Sequence, residues 1–337
     1  METVSVVMVA YGAEDWLERA VDAALASDGV DVEVILVDNG CTDSGVERAS
    51  RREHVTVVSP LENLGFAGGC NLGVQHARGE TIVLLNTDAI VEPTALAALV
   101  QVAQRPEVGI ATASVRLADA PDSLNSAGNA IHFTGFSWSG SFNELASAHA
   151  EERDAFAASG ALMAIRREVW DALGGFDEQY FAYYEDADLS LRCWQRGWTI
   201  RYVPRAVVLH RYEFSRHDTK LYLAERNRLL LVLICFSTRL LALVAPALVA
   251  VELAMTATAF AQGWGRQKVA GWRWLWRHRS DIAARRYEVQ AARSVRDHTL
   301  VRKFAEHLDP GNAPPPSWAQ PFDRVLRAYW LAVRRFV

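Results

Sequence analysis

Cysteine is scarce and scattered: Cys41, Cys70, Cys193 and Cys235 are the only four among 337 residues, and no two form a C-x-x-C pair. That argues against an oxidised, disulfide-held fold and makes a reduced cytosolic protein the expectation. The first ten residues lack a charged segment followed by an apolar core and a cleavage site, so no secretory signal is expected. Long apolar runs are missing as well. Residues 229–236 and 240–251 are apolar, but Arg239 divides them, Pro246 interrupts the second and Glu252 closes it. A spanning helix needs about 20 predominantly apolar residues, and a central Arg opposes insertion by roughly 2.5–3.5 kcal/mol. An embedded or interfacial helix pair fits better than a true span. No recognised nucleic-acid module is present, and an acidic body would repel phosphates, which excludes nucleic acid as a partner.

What the chain does have is apolar mass and an uneven charge distribution. Half of its residues are apolar, enough to bury a large core and form one big α/β domain plus an appendage. The formal net charge of -5 hides a split: residues 264–303 carry eleven Lys and Arg against only Asp281, Glu288 and Asp297. In that stretch Trp264, Trp272, Trp274 and Trp276 interleave with Arg266, Lys268, Arg273, Arg277 and Arg279, a composition that settles at a lipid headgroup boundary. The competing reading is an ordinary helical subdomain packed on the main body or on a second subunit of a homo-oligomer. Three regions follow: a body over 1–220, a helical, basic, Trp-rich region over 221–310, and a Pro314-Pro315-Pro316 linker with a short amphipathic helix over 311–337.

The body opens with Val4-Ser5-Val6-Val7-Met8-Val9-Ala10, the pattern of a buried parallel strand, followed by a helix-period segment over 13–25. A second strand over 32–37 ends in Asp38-Asn39-Gly40, and short apolar runs at 55–58 and 81–85 supply two more. Strands alternating with helices at this spacing predict a doubly wound, mostly parallel sheet with its ligand site at the carboxyl ends of the strands, where Asp38 and Asp88 both fall. An Asp at one strand end is commonly a turn former or helix cap; two at two strand ends point to a site. Between them, Asn63-Leu64-Gly65-Phe66-Ala67-Gly68-Gly69-Cys70-Asn71 enters a helix that runs to about His76. Its glycines permit close backbone approach to a ligand, and the helix N-terminus favours an anion such as a diphosphate.

The densest chemistry lies further on, in Gly174-Gly175-Phe176-Asp177-Glu178, then Phe181 and Tyr184-Glu185-Asp186-Ala187-Asp188. Three carboxylates crowd one helix start. Acids in a first helical turn often do no more than meet unpaired N–H groups and the helix dipole. Here Phe176, Phe181, Tyr183 and Tyr184 would wall them with apolar surface, and desolvation raises a carboxylate's pKa toward the range of a general base. Successive helical residues point about 100° apart, so the three cannot all address one hydroxyl. Arg192, one turn beyond Asp188, is placed to pair with it. The segment over 119–152 is rich in Ser, Gly, Ala and Asn and reads as irregular or short-stranded structure, in which His132 and Trp138 are core fillers before they are ligand contacts.

Seven motifs in order resemble the inverting family 2 glycosyltransferases of the GT-A fold, rhamnosyltransferase-like branch, over residues 4–230: Val-Ala-Tyr at 9–11, Val-Asp-Asn at 37–39, the glycine-rich 63–71, Leu-Asn-Thr-Asp at 85–88, Ser-Gly-Ala at 159–161, Gly-Gly-Phe-Asp-Glu at 174–178 and Glu-Asp-Ala-Asp-Leu at 185–189. The resemblance implies that Ala10, Tyr11 and Asp38 hold the donor's base and ribose, with Asn63, Gly65, Gly69, Asn71, Asn86 and Asp88 completing the nucleotide-sugar site. It makes Asp186 the general base, with Glu185 and Asp188 as helpers. It makes Asp88 the surviving acid of a D-x-D element, here Asn86-Thr87-Asp88, holding Mg²⁺ or Mn²⁺ with His210 and diphosphate oxygens. The implied activity is transfer of a sugar, dTDP-rhamnose weakly favoured as donor, to a hydroxyl of a lipid-linked or polymeric cell-surface glycan in polysaccharide or cell-wall synthesis. The implied location is peripheral, on the anionic inner face of the cell membrane.

Two other readings compete. A nucleotidyltransferase shares the strand-and-loop architecture but leaves the Glu-Asp-x-Asp helix unexplained. A catalytically inactive glycan- or nucleotide-binding scaffold is opposed by an intact Asp88 and Asp186, and donor hydrolysis by the purified protein separates the two.

Overall fold

A computed structural model describes residues 3–212, 218–311 and 319–337. The expected Pro314-Pro315-Pro316 linker lies outside them. The first half alternates strands and helices: β1 (Thr3–Gly12), α1 (Leu17–Leu25), β2 (Asp31–Cys41), α2 (Gly45–Ala49), β3 (Val55–Val58), α3 (Gly65–His76), β4 (Thr81–Leu85), β5 (Ala89–Val91) and α4 (Ala95–Ala103). There follow β6 (Val108–Leu117), β7 (Ala120–Ser126), β8 (Asn129–Ile131), β9 (Ser137–Ser139), β10 (Arg153–Asp154), β11 (Leu162–Arg166), α5 (Arg167–Leu173), α6 (Glu185–Gln195) and β12 (Thr199–His210). Helices close the chain: α7 (Asp218–Cys235), α8 (Thr238–Ala261), α9 (Gly265–Arg277), α10 (Arg279–Ala291), α11 (Asp297–Leu300) and α12 (Gln320–Val333).

Among the described residues one mixed sheet runs β10-β12-β6-β11-β4-β1-β2-β3, with β5 added to β12 and β7 to β6. The β3-β2-β1-β4 half is parallel, as the β-branched runs require for strands covered on both faces. β11 enters antiparallel between β4 and β6, so the start of β11 meets the end of β4, with Leu162 paired to Leu85. The strand order reverses at β1 and β4, and Asp38, Asp88 and His210 all sit at carboxyl ends of strands.

Helix α3 lies close on β1 because glycines face the strand: a Cβ on Gly69 would stand 2.8 Å from a Val9 methyl, and one on Gly73 2.4 Å from a Val7 methyl. The apolar run at the end of α7 faces inward. Leu230, Leu231, Val232, Ile234, Cys235 and Phe236 are buried in a third core cluster with Phe133, Tyr180 and Trp330, so they fill protein rather than meet lipid. Helices α7, α8 and α9 are joined by a buried ion cluster. Lys268 Nζ sits 2.5 Å from Glu225 and 2.9 Å from Glu252, and Arg228 pairs with Glu252. Trp264 is buried and Trp274 stacks on His278, while Trp276 remains 70 % exposed.

Candidate active site

Asp88 follows β4 and His210 ends β12; the structure brings them together, with His210 Nε2 3.2 Å from Asp88 Oδ1. The imidazole is oriented from behind by Asn125 on β7, whose Oδ1 lies 2.9 Å from His210 Nδ1. Asn125 is itself buried, and its amide nitrogen has no hydrogen-bond partner among the described residues. Among the described residues no group of three or more His, Cys, Asp or Glu is arranged to hold a metal alone. One carboxylate and one imidazole suit a hard cation completed by phosphate oxygens and water, and the oriented His210 supports that fit.

Glu14, in the loop between β1 and α1, belongs to the same acidic edge. Burial and the facing charge of Asp88 push its carboxyl up to about 7, partly offset by hydrogen bonds from the Thr87 side chain and the Tyr11 backbone. Asp43 accepts the Glu14 amide at 3.0 Å. Nearby, Cys41 is pushed up to about 12 by burial and then by the charges of Asp38, Asp43 and Glu14. Glu14 was not singled out from sequence. Its only signal was an acid two residues beyond the first strand's end.

Ala10 is fully buried and can offer a ligand only backbone, whereas the Tyr11 ring is 60 % exposed. Asp38 accepts from the amides of Gly40 (3.3 Å) and Cys41 (2.9 Å), so it forms a turn as well as facing the strand end. The glycine-rich loop differs from expectation at its N-terminus. The Leu64 amide donates to Asn39, that of Gly65 to Asn63, and that of Ala67 to the Phe181 carbonyl, so these donors are already engaged within the fold. Gly65 adopts φ +71°, and Gly69 packs inward on Val9. Asn71 clamps the Gly-Gly-Phe-Asp-Glu turn, accepting from Phe176 N (3.0 Å) and donating to Phe176 O and Glu178 (both 2.9 Å). The Asn86 amide donates to Ala161 O at 3.1 Å, tying the end of β4 to the residue before β11.

Asp186 is bound to the residue just before Ala161. Its Oδ2 accepts from the Gly160 amide (3.2 Å) and the Asn129 side chain (3.1 Å), and its Oδ1 from the Ala187 amide (2.7 Å). Burial raises its pKa above the usual aspartate value, while these donors hold it back. The result is a carboxylate fixed in direction and more basic than one in water. Asn129 comes from the segment over 119–152, whose structure was not readable in detail. Glu185 is buried, with Oε2 unpartnered among the described residues; burial and then the Asp186 charge push its pKa well up. Asp188 points into the core instead. It is fully buried and bound to Arg192 at 2.6 Å, with Cys235 and Tyr180 donating to its other oxygen.

The lead-in to α6 is strained. Phe181, Tyr183 and Tyr184 have φ of 64°, 68° and 74°, three of the six non-glycine residues in that region among those described. Each such residue costs on the order of 1–3 kcal/mol, and strain of this kind clusters at functional sites.

This mixed sheet, with its strand-end acids and flanking helices, is the GT-A fold of nucleotide-sugar-dependent glycosyltransferases. Residues 2–230 match the family described as "Glycosyltransferase like family 2", so the chain belongs to that family and is a glycosyltransferase. It is similar to the N-acetylglucosaminyl-diphospho-decaprenol L-rhamnosyltransferase of Mycobacterium tuberculosis (strain ATCC 25618 / H37Rv), 28% identical over 253 residues, covering 67% of this chain and 82% of that protein. It also resembles the O-antigen biosynthesis protein RfbC of Myxococcus xanthus, 31% identical over 154 residues, 43% of this chain and 12% of that protein. Among solved structures, the mannosyltransferase PcManGT of Pyrobaculum calidifontis, in complex with GDP-Man and Mn²⁺, shares the fold at TM-score 0.52 and 18% identity, over 98% of this chain and 85% of that one. GalNAc-T7 with UDP, GalNAc and Mn²⁺ shares it at TM-score 0.57 and 18% identity; the match spans 69% of this chain but about half (48%) of that one.

Proposed function

We propose that this protein transfers a sugar, with dTDP-rhamnose the favoured donor, to a hydroxyl of a lipid-linked or polymeric glycan, and that Asp186 is the base. The single observation that carries the reading is the placement of Asp186. It is partly buried, raised in basicity and held by three donors, one of them the amide of Gly160, next in sequence to the Ala161 that Asn86 ties to the end of β4. Asp186 takes the proton of the acceptor hydroxyl as that oxygen attacks the anomeric carbon. The bond from that carbon to the diphosphate oxygen breaks, and the diphosphate leaves with the electron pair on the opposite face, so the configuration inverts. Asp88 and His210 would hold Mg²⁺ or Mn²⁺, which when bound neutralises charge on the departing diphosphate. Asn125 orients the His210 ring, and Glu185 is buried beside Asp186, which alone of the two is held by three hydrogen-bond donors.

The choice of rhamnose and of a lipid-linked acceptor draws support from the mycobacterial relative's name and the 82% of its length that the match covers. Action at the inner face of the membrane draws support from α8, which among the described residues is the one helix long and apolar enough to cross a membrane by length and composition. Its Val249, Leu253 and Phe260 are exposed, as is Trp276 of α9 with Arg279 over its ring. Such a face, flanked by cations, suits an anionic headgroup layer. A thermal-shift panel of dTDP-rhamnose, UDP-galactose, UDP-N-acetylglucosamine and GDP-mannose with Mn²⁺ tests the donor, since a ligand at 100 times its Kd adds about 2.7 kcal/mol. The largest shift is expected with dTDP-rhamnose, and a larger one with another sugar overturns that assignment. Sedimentation with anionic vesicles at low salt tests the membrane face; protein left in the supernatant contradicts it.

A further inference from the structure

The strained turn before Asp186 raises the question of what holds it. Left-handed residues aim their carbonyls out of any regular ladder, so each carbonyl needs a donor from elsewhere. From Gln179 to Tyr183 every carbonyl has one. The Phe181 carbonyl accepts from the Ala67 amide of α3. The other four are taken by two consecutive residues of α7: Arg226 Nη2 donates to Gln179 O (2.8 Å) and Tyr180 O (2.7 Å). Asn227 Nδ2, with two hydrogens, lies within hydrogen-bond distance of three carbonyls, nearest Tyr183 O (2.7 Å) and Ala182 O (2.8 Å), with Tyr180 O at 3.0 Å. The Asn227 side chain is fully buried, and its own oxygen accepts from Arg226 Nε at 2.8 Å, which turns the amide nitrogen toward the turn. Helix α6 has no side-chain cap of its own, so the direction in which it starts, and with it the aim of Asp186, is set by this turn.

We infer that Asn227, assisted by Arg226, is a positioning residue of the transfer reaction: it locks the left-handed turn over 181–184 and so aims the carboxylate of Asp186. This rests on Asp186 being the base. An apolar side chain at 227 would strand the Ala182 and Tyr183 carbonyls, while Tyr180 O keeps Arg226 and the Ala182 amide, letting the turn relax toward ordinary dihedrals and the start of α6 swing.

The test compares Asn227→Ala and the isosteric Asn227→Asp, whose carboxylate would repel the three carbonyls, with Leu230→Ala. Leu230 is equally buried on α7, but its aliphatic side chain can donate no hydrogen bond to the turn carbonyls. Hydrogen exchange of 181–187 and steady-state kinetics are measured with whichever nucleotide sugar of the donor panel the wild type turns over. Both Asn227 variants are expected to exchange at least tenfold faster over 181–187. Their kcat should fall by tenfold or more with donor KM within about twofold, and the acidic limb of the kcat–pH profile should move as Asp186 gains water. Leu230→Ala should lower Tm while leaving exchange of the turn, kcat and the acidic limb near wild type. If Asn227→Ala lowers Tm as Leu230→Ala does and leaves exchange, kcat and the acidic limb unchanged, the inference is overturned. Near-wild-type turnover by Asp186→Asn would remove the base assignment separately, and exchange over 181–187 would still decide whether Asn227 locks the turn.

Discussion

Replacing Gly65 by alanine probes the contact between the glycine-rich loop and the turn that carries Asp186. Gly65 sits at φ +71°, and a Cβ there would stand 2.3 Å from the Phe181 carbonyl oxygen and 2.6 Å from its ring. The left-handed backbone alone costs an alanine roughly 1–2 kcal/mol. Forcing a methyl group against packed backbone adds about 1–3 kcal/mol, because the Phe181 carbonyl is held by the Ala67 amide and cannot simply swing away. The expected loss for Gly65→Ala is therefore about 2–5 kcal/mol. Gly174 provides the internal control: its φ is +75°, and a Cβ there meets nothing within 4 Å, so Gly174→Ala should lose only the backbone share, about 1–2 kcal/mol. Urea unfolding of both variants, followed by circular dichroism, measures the difference. Gly65→Ala should also lose turnover, since Phe181 must move. Equal losses in the two variants would refute the claim that the loop and the turn are in close contact.

Asp88→Ala should weaken Mn²⁺-dependent binding of a nucleoside diphosphate by about tenfold or more, with His210→Ala losing less; isothermal titration with and without EDTA checks this, and binding indifferent to EDTA removes the metal role from both residues. His132 supplies a pH dependence of stability. It is fully buried with its ring tilted against Phe133, and burial lowers its pKa from 6.5 to about 3. Between those values the unfolded chain binds a proton that the folded one refuses, so its contribution is intact above pH 6.5 and lost as pH falls toward 3, by about 2 kcal/mol at pH 5. Urea midpoints across pH 5–7 should fall more steeply in the wild type than in His132→Phe; parallel curves would contradict the assignment.

Much of the fold could be read from local pattern, because β1, β2 and β4 are apolar runs rich in β-branched residues and α5 ends at Gly174 with the left-handed backbone its position suggests. The ordering of strand-end acids and the Glu-Asp start of α6 was equally visible. What escaped depends on partners far apart in sequence. Asn129 meets Asp186 from 57 residues away and Asn125 meets His210 from 85, both out of a segment without periodicity. Asn227 sits in a helix whose pattern gives no hint that its amide serves a turn 44–47 residues earlier. Composition alone could not separate Asp188 from Asp186, since about half a turn of the helix sends the first into the core against Arg192 and leaves the second partly exposed beside Gly160. The apolar end of α7 was ambiguous for a similar reason: a lipid-facing helix and a core helix have the same composition.

The account turns on Asp186 as base, and Asp186→Asn tests it most directly. The amide keeps the size of the carboxylate and loses its basicity, so transfer to acceptor should fall by at least the 10²–10⁴-fold typical of a general base, while donor affinity, measured by thermal shift with Mn²⁺, stays near wild type. Turnover close to wild type in that variant, with the donor still bound, would contradict the central claim.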